Sequence, residues 1–451
     1  MAYIPVILAS LLYLYIRLTN IGIWSSDTNT YFYTAYQLLQ GKLLYQDIFF
    51  TNLPFFPYIS TVYFYLVGGN LSHYYVTAAV EVVITAFLLY KIVFTKTKDI
   101  FISTLCILAY MTSFIVLSTS LHQDGIHLAS LLSITAYVFL TKNKYSLSGF
   151  FIALSFVTKA YFITIFLSFV FFLFIKKQKG LMPFLVTFLL TVLTIILPSL
   201  IFAQHAFIND LFNYSLTRTQ QVSKLDIFGF FVSHDYLLTL LFIFSILSIR
   251  KYLLEGLISL FTLIFLILYK DTYYLYMNIC VPFLCISFMN FCQILKERNI
   301  LSKMFASILV GLIVFLNLAV FTSYLTYEKI TSIDDIVKKI QEIHPQFLYG
   351  SYGITPALAY LTNTPLLDNI VDTNPNIFAK GIFDKNKLTQ EAIAKKALIV
   401  TQGTILTPTL GDTVRDDIFD KEKLLSTCKI IKAFPIESHE QVNRINLWKC
   451  Y

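Results

Sequence analysis

Long apolar runs separated by short polar segments fill the chain as far as about residue 325. A helix needs about 20 residues to cross the hydrocarbon core of a membrane, and most of these runs approach that length. The pattern predicts about eleven transmembrane helices. The number is approximate because some runs are short for a full crossing. The predicted helices are Ala2–Leu18, Val76–Phe94, Ile100–Thr119, Gly125–Leu140, Leu147–Thr158, Tyr161–Ile175, Leu181–Phe202, Tyr236–Ile249, Tyr252–Tyr269, Tyr273–Cys292 and Phe305–Leu325.

Beyond Leu325 the pattern is that of a small soluble α/β domain. Helical spacing predicts helices at Ile333–Ile343 and at Thr355–Leu361, the second with Pro356 in its first turn. The chain is therefore predicted to consist of a transmembrane module, residues 1–326, and an α/β domain, residues 327–451. Runs rich in strand-forming residues predict strands at Phe347–Tyr352, Ala397–Thr401, Cys428–Phe434 and Ile445–Tyr451.

Two cysteines of this domain form a candidate disulfide. If Cys428–Phe434 and Arg444–Cys450 pair antiparallel, the first residue of one strand lies opposite the last residue of the other, within disulfide distance. An oxidising exterior would permit the bond. Two buried free thiols are the alternative, and the sequence leaves both open.

The composition agrees with a polytopic α-helical membrane protein. Hydrophobic residues make up 57% of the chain and charged residues 13%, a balance that soluble domains do not have. The net charge of +8 comes from short basic clusters between apolar runs, and no nucleic-acid-binding motif is present, so no nucleic-acid partner is expected. The six cysteines include no C-x-x-C pair, which argues against a zinc site.

The basic clusters predict the orientation of the chain. Lys and Arg concentrate in cytoplasmic loops, and alternate loops of this chain are basic. We therefore predict a multi-pass protein of the cell (inner) membrane with a cytoplasmic amino terminus and an α/β domain in the periplasm or outside the cell. The first external loop, residues 19–75, and the loop Gln204–His234 then face the same side as that domain. The predicted inner loops contain Lys91, Lys96 and Lys98, Lys142 and Lys144, Lys176, Lys177 and Lys179, Arg250 and Lys251, and Lys296, Arg298 and Lys303.

Polar motifs stand at the ends of the predicted spans on the external side. They are Asp27-Thr28-Asn29-Thr30-Tyr31, Gly41-Lys42-Leu43-Leu44-Tyr45-Gln46-Asp47 followed by Asn52-Leu53-Pro54, His122-Gln123-Asp124-Gly125, Thr158-Lys159, and Tyr273-Tyr274 before Pro282. Carboxylates this close to a bilayer are costly unless they have a function. The segment from Trp24 to Gly68, which contains Asp27 and Asp47, is therefore a candidate active site.

In their order and topology these motifs resemble the GT-C superfamily of membrane glycosyltransferases, particularly bacterial relatives of protein O-mannosyltransferases and of the lipid A aminoarabinose transferase. The resemblance covers the whole chain and implies a GT-C-like fold with a small extracytoplasmic α/β domain at the carboxyl terminus. Two positions depart from the family pattern. Thr28 stands where an acidic residue usually follows the first Asp, and Asn52-Leu53-Pro54 stands where Lys-Pro-Pro is usual.

The resemblance implies an inverting transfer of a hexosyl or pentosyl group. The donor is a polyprenyl-phosphate sugar among membrane lipids, and the acceptor is an unidentified hydroxyl on a lipid, glycan or protein. Asp27 is then the general base, and Lys159, Arg218 and Lys270 are candidate cations for the departing phosphate. The candidate substrate-binding residues are Tyr31, Asp47, Asn52, Pro54, His122, Gln123, Asp124 and Tyr273.

Structural alternatives apply to the same residues. Asp27 is a candidate cap for a helix from Thr28 to Leu39, and Asp124 for the fourth span. Lys159 at a span end is a candidate for snorkelling to the interface. Glu81, inside the second span, is expected to face the bundle interior or to be protonated. No cofactor is certain, although Asp27 and Asp124 offer oxygen ligands to a divalent metal.

Two other function classes fit a polytopic protein. Many transporters, a class that includes lipid-linked saccharide flippases, have internal repeats, and none is visible here. An O-antigen polymerase or ligase would have a late external loop with several arginines, whereas Gln204–His234 contains only Arg218. The large acidic first loop favours the glycosyltransferase.

Overall fold

The computed structural model describes residues 2–213, 223–297, 311, 315, 317, 330, 332–404, 418–436 and 443–451. Helices fill the first two of these ranges, and a mixed sheet with short helices forms the carboxyl-terminal part. The predicted boundary between residues 326 and 327 falls outside the described residues.

The helical part contains a helix in each of the first ten predicted spans, while most of the eleventh, Phe305–Leu325, lies outside the described residues. Two further helices occupy the first predicted external loop. The helices are α1 (Ile4–Thr19), α2 (Asp27–Leu39), α3 (Phe55–Leu66), α4 (Leu71–Thr97), α5 (Ile100–Met111), α6 (Phe114–Thr119), α7 (Ile126–Thr141), α8 (Tyr145–Thr158), α9 (Ile163–Ile175), α10 (Leu181–Phe202), α11 (Gln204–Ile208), α12 (Lys224–His234), α13 (Tyr236–Leu247), α14 (Leu253–Leu268) and α15 (Val281–Glu297).

The number of membrane crossings is not established by helix length. Among the described helices, α4 and α10 are long and apolar enough to cross a membrane, and α12 with α13 makes a third candidate that bends by 110° at its break. The other apolar helices are shorter because polar or extended residues interrupt the runs, as Thr112 and Ser113 do between α5 and α6. The count of about eleven therefore stays a prediction.

The apolar surface of the helical part is that of a lipid-facing protein. Leu8, Leu11 and Leu12 on α1 are exposed, as are Leu189 and Leu190 on α10. Such rows of exposed leucine are unfavourable in water and are covered by hydrocarbon in a membrane. The residues that face other helices are mostly buried aromatic and aliphatic side chains, and α4 contacts α1, α5, α7 and α15.

The carboxyl-terminal part is an α/β unit, as the residue pattern predicts. Its sheet has the order β1-β2-β4-β3, in which β1 and β2 are parallel and the other neighbours antiparallel. The strands are β1 (Leu348–Gly350), β2 (Leu398–Thr404), β3 (Cys428–Ile436) and β4 (Asn443–Cys450), and the helices are α16 (Ile333–Ile343), α17 (Thr355–Thr362), α18 (Pro375–Ala379), α19 (Lys385–Ala394) and α20 (Lys421–Thr427).

The predicted strand pair carries a disulfide in the structure. Cys428 lies directly opposite Cys450 in the antiparallel register of β3 and β4, and the two are bonded. Of the two alternatives that the sequence left open, the structure contains the disulfide. The cysteines of the helical part, Cys106, Cys280, Cys285 and Cys292, are buried free thiols.

The turn between β1 and α17 packs directly on the start of α2. The Gly353 carbonyl accepts hydrogen bonds from the Ser26 backbone N–H at 3.0 Å and from the Asn29 amide at 2.6 Å. A Cβ atom on Gly353 would lie 2.4 Å from Ser25 Oγ, so a larger residue would force that hydroxyl or the turn to shift. The α/β part is therefore held over the first loop of the helical part.

Candidate functional site

A cavity of about 190 Å³ lies where the first loop, the loops that follow α6 and α8, and the segment before α15 meet the α/β part. These loops are all on the predicted external side. Its lining is polar and aromatic, with four charged residues. The lining residues are Asp27, Thr30, Tyr31, Phe50, Thr51, Asn52, Asp124, Lys159, Tyr161, Tyr273, Leu275, Tyr276, Tyr352, Asp372 and Asn374.

Asp27 is the first residue of α2, and its exposed side chain lines the cavity. The cap of this helix is Ser26, whose Oγ accepts the Thr28 backbone N–H at 3.3 Å. The structural alternative in which Asp27 is itself the cap is therefore wrong. A neighbouring contact fixes the same turn, because the Gln123 backbone N–H donates to Thr28 Oγ1 at 3.0 Å.

The contacts of Asp124 are consistent with both roles that the sequence left open. One carboxylate oxygen accepts the Ile126 backbone N–H at 3.0 Å at the start of α7, which is a capping contact. The other lies 4.0 Å from Lys159 Nζ, and the side chain lines the cavity. Gly125 follows with φ +88° and sits against the ring of Phe56, where a Cβ would come within 2.7 Å. A side chain at that position would push the Asp124 loop away from α3.

Lys159 is buried and directed into the cavity. It follows α8 in an extended conformation, and its Nζ donates to Tyr31 Oη at 3.1 Å. The ammonium group is also 5.1 Å from the centroid of the Tyr31 ring. The structural alternative in which Lys159 snorkels to the interface is wrong, because only 9% of this residue is exposed. Among the residues that the structure describes, Lys159 is the one basic side chain in the lining.

Aromatic rings form much of the remaining lining. The rings of Tyr161 and Tyr276 are 4.6 Å apart, and Tyr273 packs against Tyr276 at 6.1 Å. On the first loop, Tyr31 makes an edge contact with Phe50 at 5.8 Å. Flat rings with polar tips of this kind present an apolar face and a hydrogen-bonding group side by side.

Gln123 lies behind the lining and connects it to the intramembrane carboxylate. Its amide nitrogen donates to Glu81 at 2.9 Å and to Thr77 at 2.8 Å. Glu81 is buried in α4 and accepts a second hydrogen bond, from Tyr63 Oη at 2.7 Å. Glu81 therefore faces the bundle interior, one of the two expected placements, and steadies the loop that carries Asp124.

Asp47, Pro54, His122 and Lys270, also predicted as site residues, do not line the cavity. Asp47 is exposed and accepts the Leu43 backbone N–H at 2.8 Å within a turn, and Pro54 precedes α3. His122 packs edge-on against Trp24, and burial lowers its pKa to about 4, so it is neutral at physiological pH. Lys270 is exposed, and Arg218 lies outside the described residues.

The sequence interpretation missed a wall of the cavity that belongs to the α/β part. Tyr352 comes from the turn after β1, while Asp372 and Asn374 come from the loop before α18. Their segment, Asp372-Thr373-Asn374-Pro375, has the composition of an ordinary surface turn, so nothing in it indicates a site. Thr30 and Thr51 were also missed, although both lie in the loop that was singled out.

A divalent metal held by Asp27 and Asp124 is the alternative that the sequence left open. Within the described ranges no group of three or more His, Cys, Asp or Glu is arranged to hold a metal ion. Asp27 and Asp124 share the cavity, but the Lys159 ammonium already lies beside Asp124 and would compete with a cation there. Metal dependence therefore remains a prediction.

Comparison with known proteins identifies the fold. No family model matches the chain, and no curated protein matches its sequence. Two solved structures of ArnT from Cupriavidus metallidurans match it nearly end to end. The apo structure has a TM-score of 0.65 at 11% identity, and the structure bound to undecaprenyl phosphate has 0.64 at 10% identity; each match covers 98% of this chain and 97% of the ArnT chain.

The chain has the fold of ArnT. The ArnT fold is a GT-C fold, so the predicted resemblance to GT-C membrane glycosyltransferases is confirmed at the level of architecture. At 10–11% identity the two proteins share a fold, and no residue role is transferred from ArnT to this chain. The role of each side chain of this chain therefore follows from the cavity itself.

Proposed function

We propose that this protein is an integral-membrane glycosyltransferase that moves a sugar from a polyprenyl-phosphate donor to an acceptor hydroxyl. The observation that carries the proposal is the shared cavity of Asp27, Asp124 and Lys159, which come from three separate loops. The ArnT fold supports the same reaction class, and one ArnT structure contains undecaprenyl phosphate, a lipid of the proposed donor type.

Lys159 is the group proposed to receive the donor phosphate. A buried ammonium with one hydroxyl partner and a carboxylate at 4.0 Å keeps donor capacity for an anionic oxygen. As the sugar leaves, negative charge grows on the phosphate, and a fixed cation lowers the energy of that change. Polyprenyl phosphate is a stable anion in water, so its departure needs no general acid.

Asp27 is the proposed general base. It is exposed at the cavity mouth, where an acceptor hydroxyl from solution or from the membrane surface can reach it. The acceptor oxygen forms a bond to the anomeric carbon while its proton passes to the Asp27 carboxylate. The bond between that carbon and the phosphate oxygen breaks, the electron pair stays on the phosphate, and the anomeric configuration inverts.

The membrane supplies the donor in this proposal. The lipid-facing leucines of α1 and α10 keep the helical part in the bilayer, with the cavity at one end of the bundle. The polyprenyl chain then stays in hydrocarbon while its phosphate and sugar enter the cavity. The distribution of basic loops supports a cavity on the external face, and the proposed location is the cell (inner) membrane.

The test is transfer of a radiolabelled sugar from polyprenyl phosphate in membranes that contain the protein. Asp27→Asn keeps the size of the side chain and removes the base, so transfer should fall by about 10²–10⁴-fold. Asp47→Asn is the matched control, because Asp47 lies in the same loop, is exposed, and does not line the cavity. Its transfer should stay within about twofold of wild type.

Two results would reject parts of the proposal. Equal transfer by wild type and Asp27→Asn would remove Asp27 as the base. Movement of the lipid-linked sugar across the membrane without any transfer, in wild type as well as in the variant, would replace the enzyme by a flippase.

A further inference from the structure

The α/β part contributes an acidic residue, Asp372, to the cavity from the side opposite the membrane helices. Asp372 precedes α18, and with Tyr352 and Asn374 it forms the part of the lining that lies apart from the loops of Asp27, Asp124 and Lys159. The proposed reaction assigns no role to Asp372 or to its neighbour Asn374. Their placement therefore requires an explanation of its own.

The loop that carries these two side chains is tightly held. One Asp372 oxygen accepts the Asn374 backbone N–H at 2.9 Å, and Asn374 Oδ1 accepts the Asn376 backbone N–H at 3.0 Å. Between them, Thr373 Oγ1 donates to the Gly350 carbonyl at 2.6 Å, which ties the loop to β1. Both polar groups are therefore fixed before any ligand arrives, as a binding site requires.

A turn alone does not account for Asp372. Asp384 has the same local role at α19, where it accepts the Asn386 backbone N–H at 2.8 Å, yet Asp384 is exposed and outside the cavity. Asp372 differs because its second oxygen reaches across to the helical part and lies 3.4 Å from Thr51 Oγ1. This contact brings the carboxylate to the cavity surface beside the first loop.

The charges around the cavity indicate which part of a ligand lies near Asp372. Three carboxylates, Asp27, Asp124 and Asp372, face one ammonium, Lys159, among the described lining residues. The Lys159 ammonium attracts a phosphate, so the phosphate is expected on the side of the cavity formed by the loops of the helical part and not beside Asp372. Neutral hydroxyl groups, in contrast, donate strong hydrogen bonds to a carboxylate.

We propose that Asp372 and Asn374 form a saccharide subsite. The Asp372 carboxylate accepts hydrogen bonds from sugar hydroxyls, and the Asn374 amide nitrogen donates to a sugar oxygen because its Oδ1 is engaged at α18. Thr51 adds a hydroxyl beside them. This inference rests on the proposed function, and it makes the α/β part a determinant of sugar specificity. The sugar belongs either to the donor lipid or to a glycan acceptor.

A binding experiment separates sugar recognition from phosphate recognition. Purified full-length protein in lipid nanodiscs is titrated with undecaprenyl phosphate and with a panel of undecaprenyl-phosphate hexoses and pentoses. If the donor sugar occupies the subsite, wild type binds at least one glycosylated lipid more tightly than the bare phosphate. Asp372→Asn should weaken the binding of that glycosylated lipid by roughly 10- to 100-fold, the effect of losing hydrogen bonds to a charged group. The affinity for undecaprenyl phosphate should not change.

Asp384→Asn is the matched control. It makes the same chemical change in a turn of the same kind outside the cavity, so both affinities should equal those of wild type. Asparagine at either position keeps an oxygen for the backbone N–H, so loss of folding is not expected. Equal melting temperatures of the two variants confirm this.

A transfer experiment identifies the source of the sugar. If a glycan acceptor occupies the subsite, Asp372→Asn keeps the wild-type affinity for glycosylated donor and raises the KM for acceptor. If both the donor affinities and the acceptor KM are unchanged, the subsite is rejected while the proposed function stands. If wild type neither prefers a glycosylated lipid nor transfers from one, the proposed function fails, and the subsite fails with it.

Discussion

The cavity has two walls of different origin. The membrane wall is built from loops of the helical part and contains Asp27, Asp124 and Lys159, whereas the domain wall is built from the α/β part and contains Tyr352, Asp372 and Asn374. Both present charged or polar groups to the same space. The site residues expected from the residue pattern include members of the membrane wall and none of the domain wall.

The difference comes from the sequence that surrounds each polar residue. Next to apolar runs, an Asp or a Lys is rare and costly, so its presence indicates a role. In a small α/β domain, an Asp-Thr-Asn-Pro turn is ordinary, because such residues satisfy backbone groups at helix starts. The domain wall is therefore invisible to pattern analysis, even though its residues lie in the same cavity.

Among substitutions in the membrane wall, removal of the Lys159 cation should reduce sugar transfer more than any other except loss of Asp27. Lys159→Met keeps an unbranched side chain one atom shorter and removes its charge, so transfer should fall by roughly 10²–10³-fold, as for other fixed electrostatic groups. Binding of undecaprenyl phosphate to the purified protein should weaken by about tenfold or more. Both are measured on protein in nanodiscs.

Lys270→Met is the control for that measurement. Lys270 follows α14 on the same predicted side but is exposed and does not line the cavity. If Lys270→Met reduced phosphate binding as much as Lys159→Met, general surface charge would explain the effect. The membrane wall would then lose its assigned cation.

A substitution at the contact between the walls should have an intermediate effect. Gly353→Ala introduces a Cβ 2.4 Å from Ser25 Oγ, so either the Ser25 hydroxyl rotates or the turn shifts relative to the Asp27 end of α2. We expect transfer to fall by about tenfold, because small misplacements of site residues have large effects on rate. Combining it with Ser25→Ala, which removes the clashing hydroxyl, should recover part of the activity.

Gly229→Ala is the matched control for Gly353→Ala. Gly229 lies in α12, where a Cβ would meet no atom within 4 Å beyond the backbone of its own helix, and it needs no unusual backbone conformation. Alanine there should leave transfer unchanged. If the Gly353→Ala protein also kept wild-type transfer, the position of the domain wall would not matter to the reaction.

The smallest expected effect is on the pH dependence of stability, and it comes from the carboxyl group of Asp210, behind the membrane wall. Burial raises the pKa of Asp210 from 3.8 to about 7, and its Oδ2 lies 3.4 Å from the Phe50 backbone nitrogen. The folded state then holds a proton that the unfolded chain releases, so this group's contribution to stability is present at low pH and is lost as pH rises toward about 7. Above that pH its contribution should be constant.

Asp210→Asn should remove this part of the pH dependence. Between about pH 5 and about pH 8 the melting temperature of the variant should decrease less than that of wild type, by roughly 1–3 °C. Asp226→Asn, which changes an exposed Asp of α12, should follow wild type. Parallel curves for wild type and Asp210→Asn would show that the Asp210 carboxyl does not titrate in this range.

Several features were accessible from the amino-acid sequence alone because they depend on neighbours along the chain. Apolar run lengths located the helices, and the helix Ile333–Ile343 has the predicted bounds. The strand pattern predicted that Cys428 lies opposite Cys450, since antiparallel pairing follows from the two strands themselves. The motifs at span ends indicated a GT-C resemblance, which the ArnT fold confirms.

Other features depend on contacts between segments distant in the chain. Asp27 and Asp47 lie in the same predicted external loop, yet Asp27 lines the cavity and Asp47 lies outside it. The direction of each side chain is set by what packs around the loop: Gly353 on the start of α2 and Gln123 on Thr28. The entry of Asp372 into the same cavity likewise requires the α/β part to dock on α2. Tertiary packing alone therefore converts separate charged residues into one site.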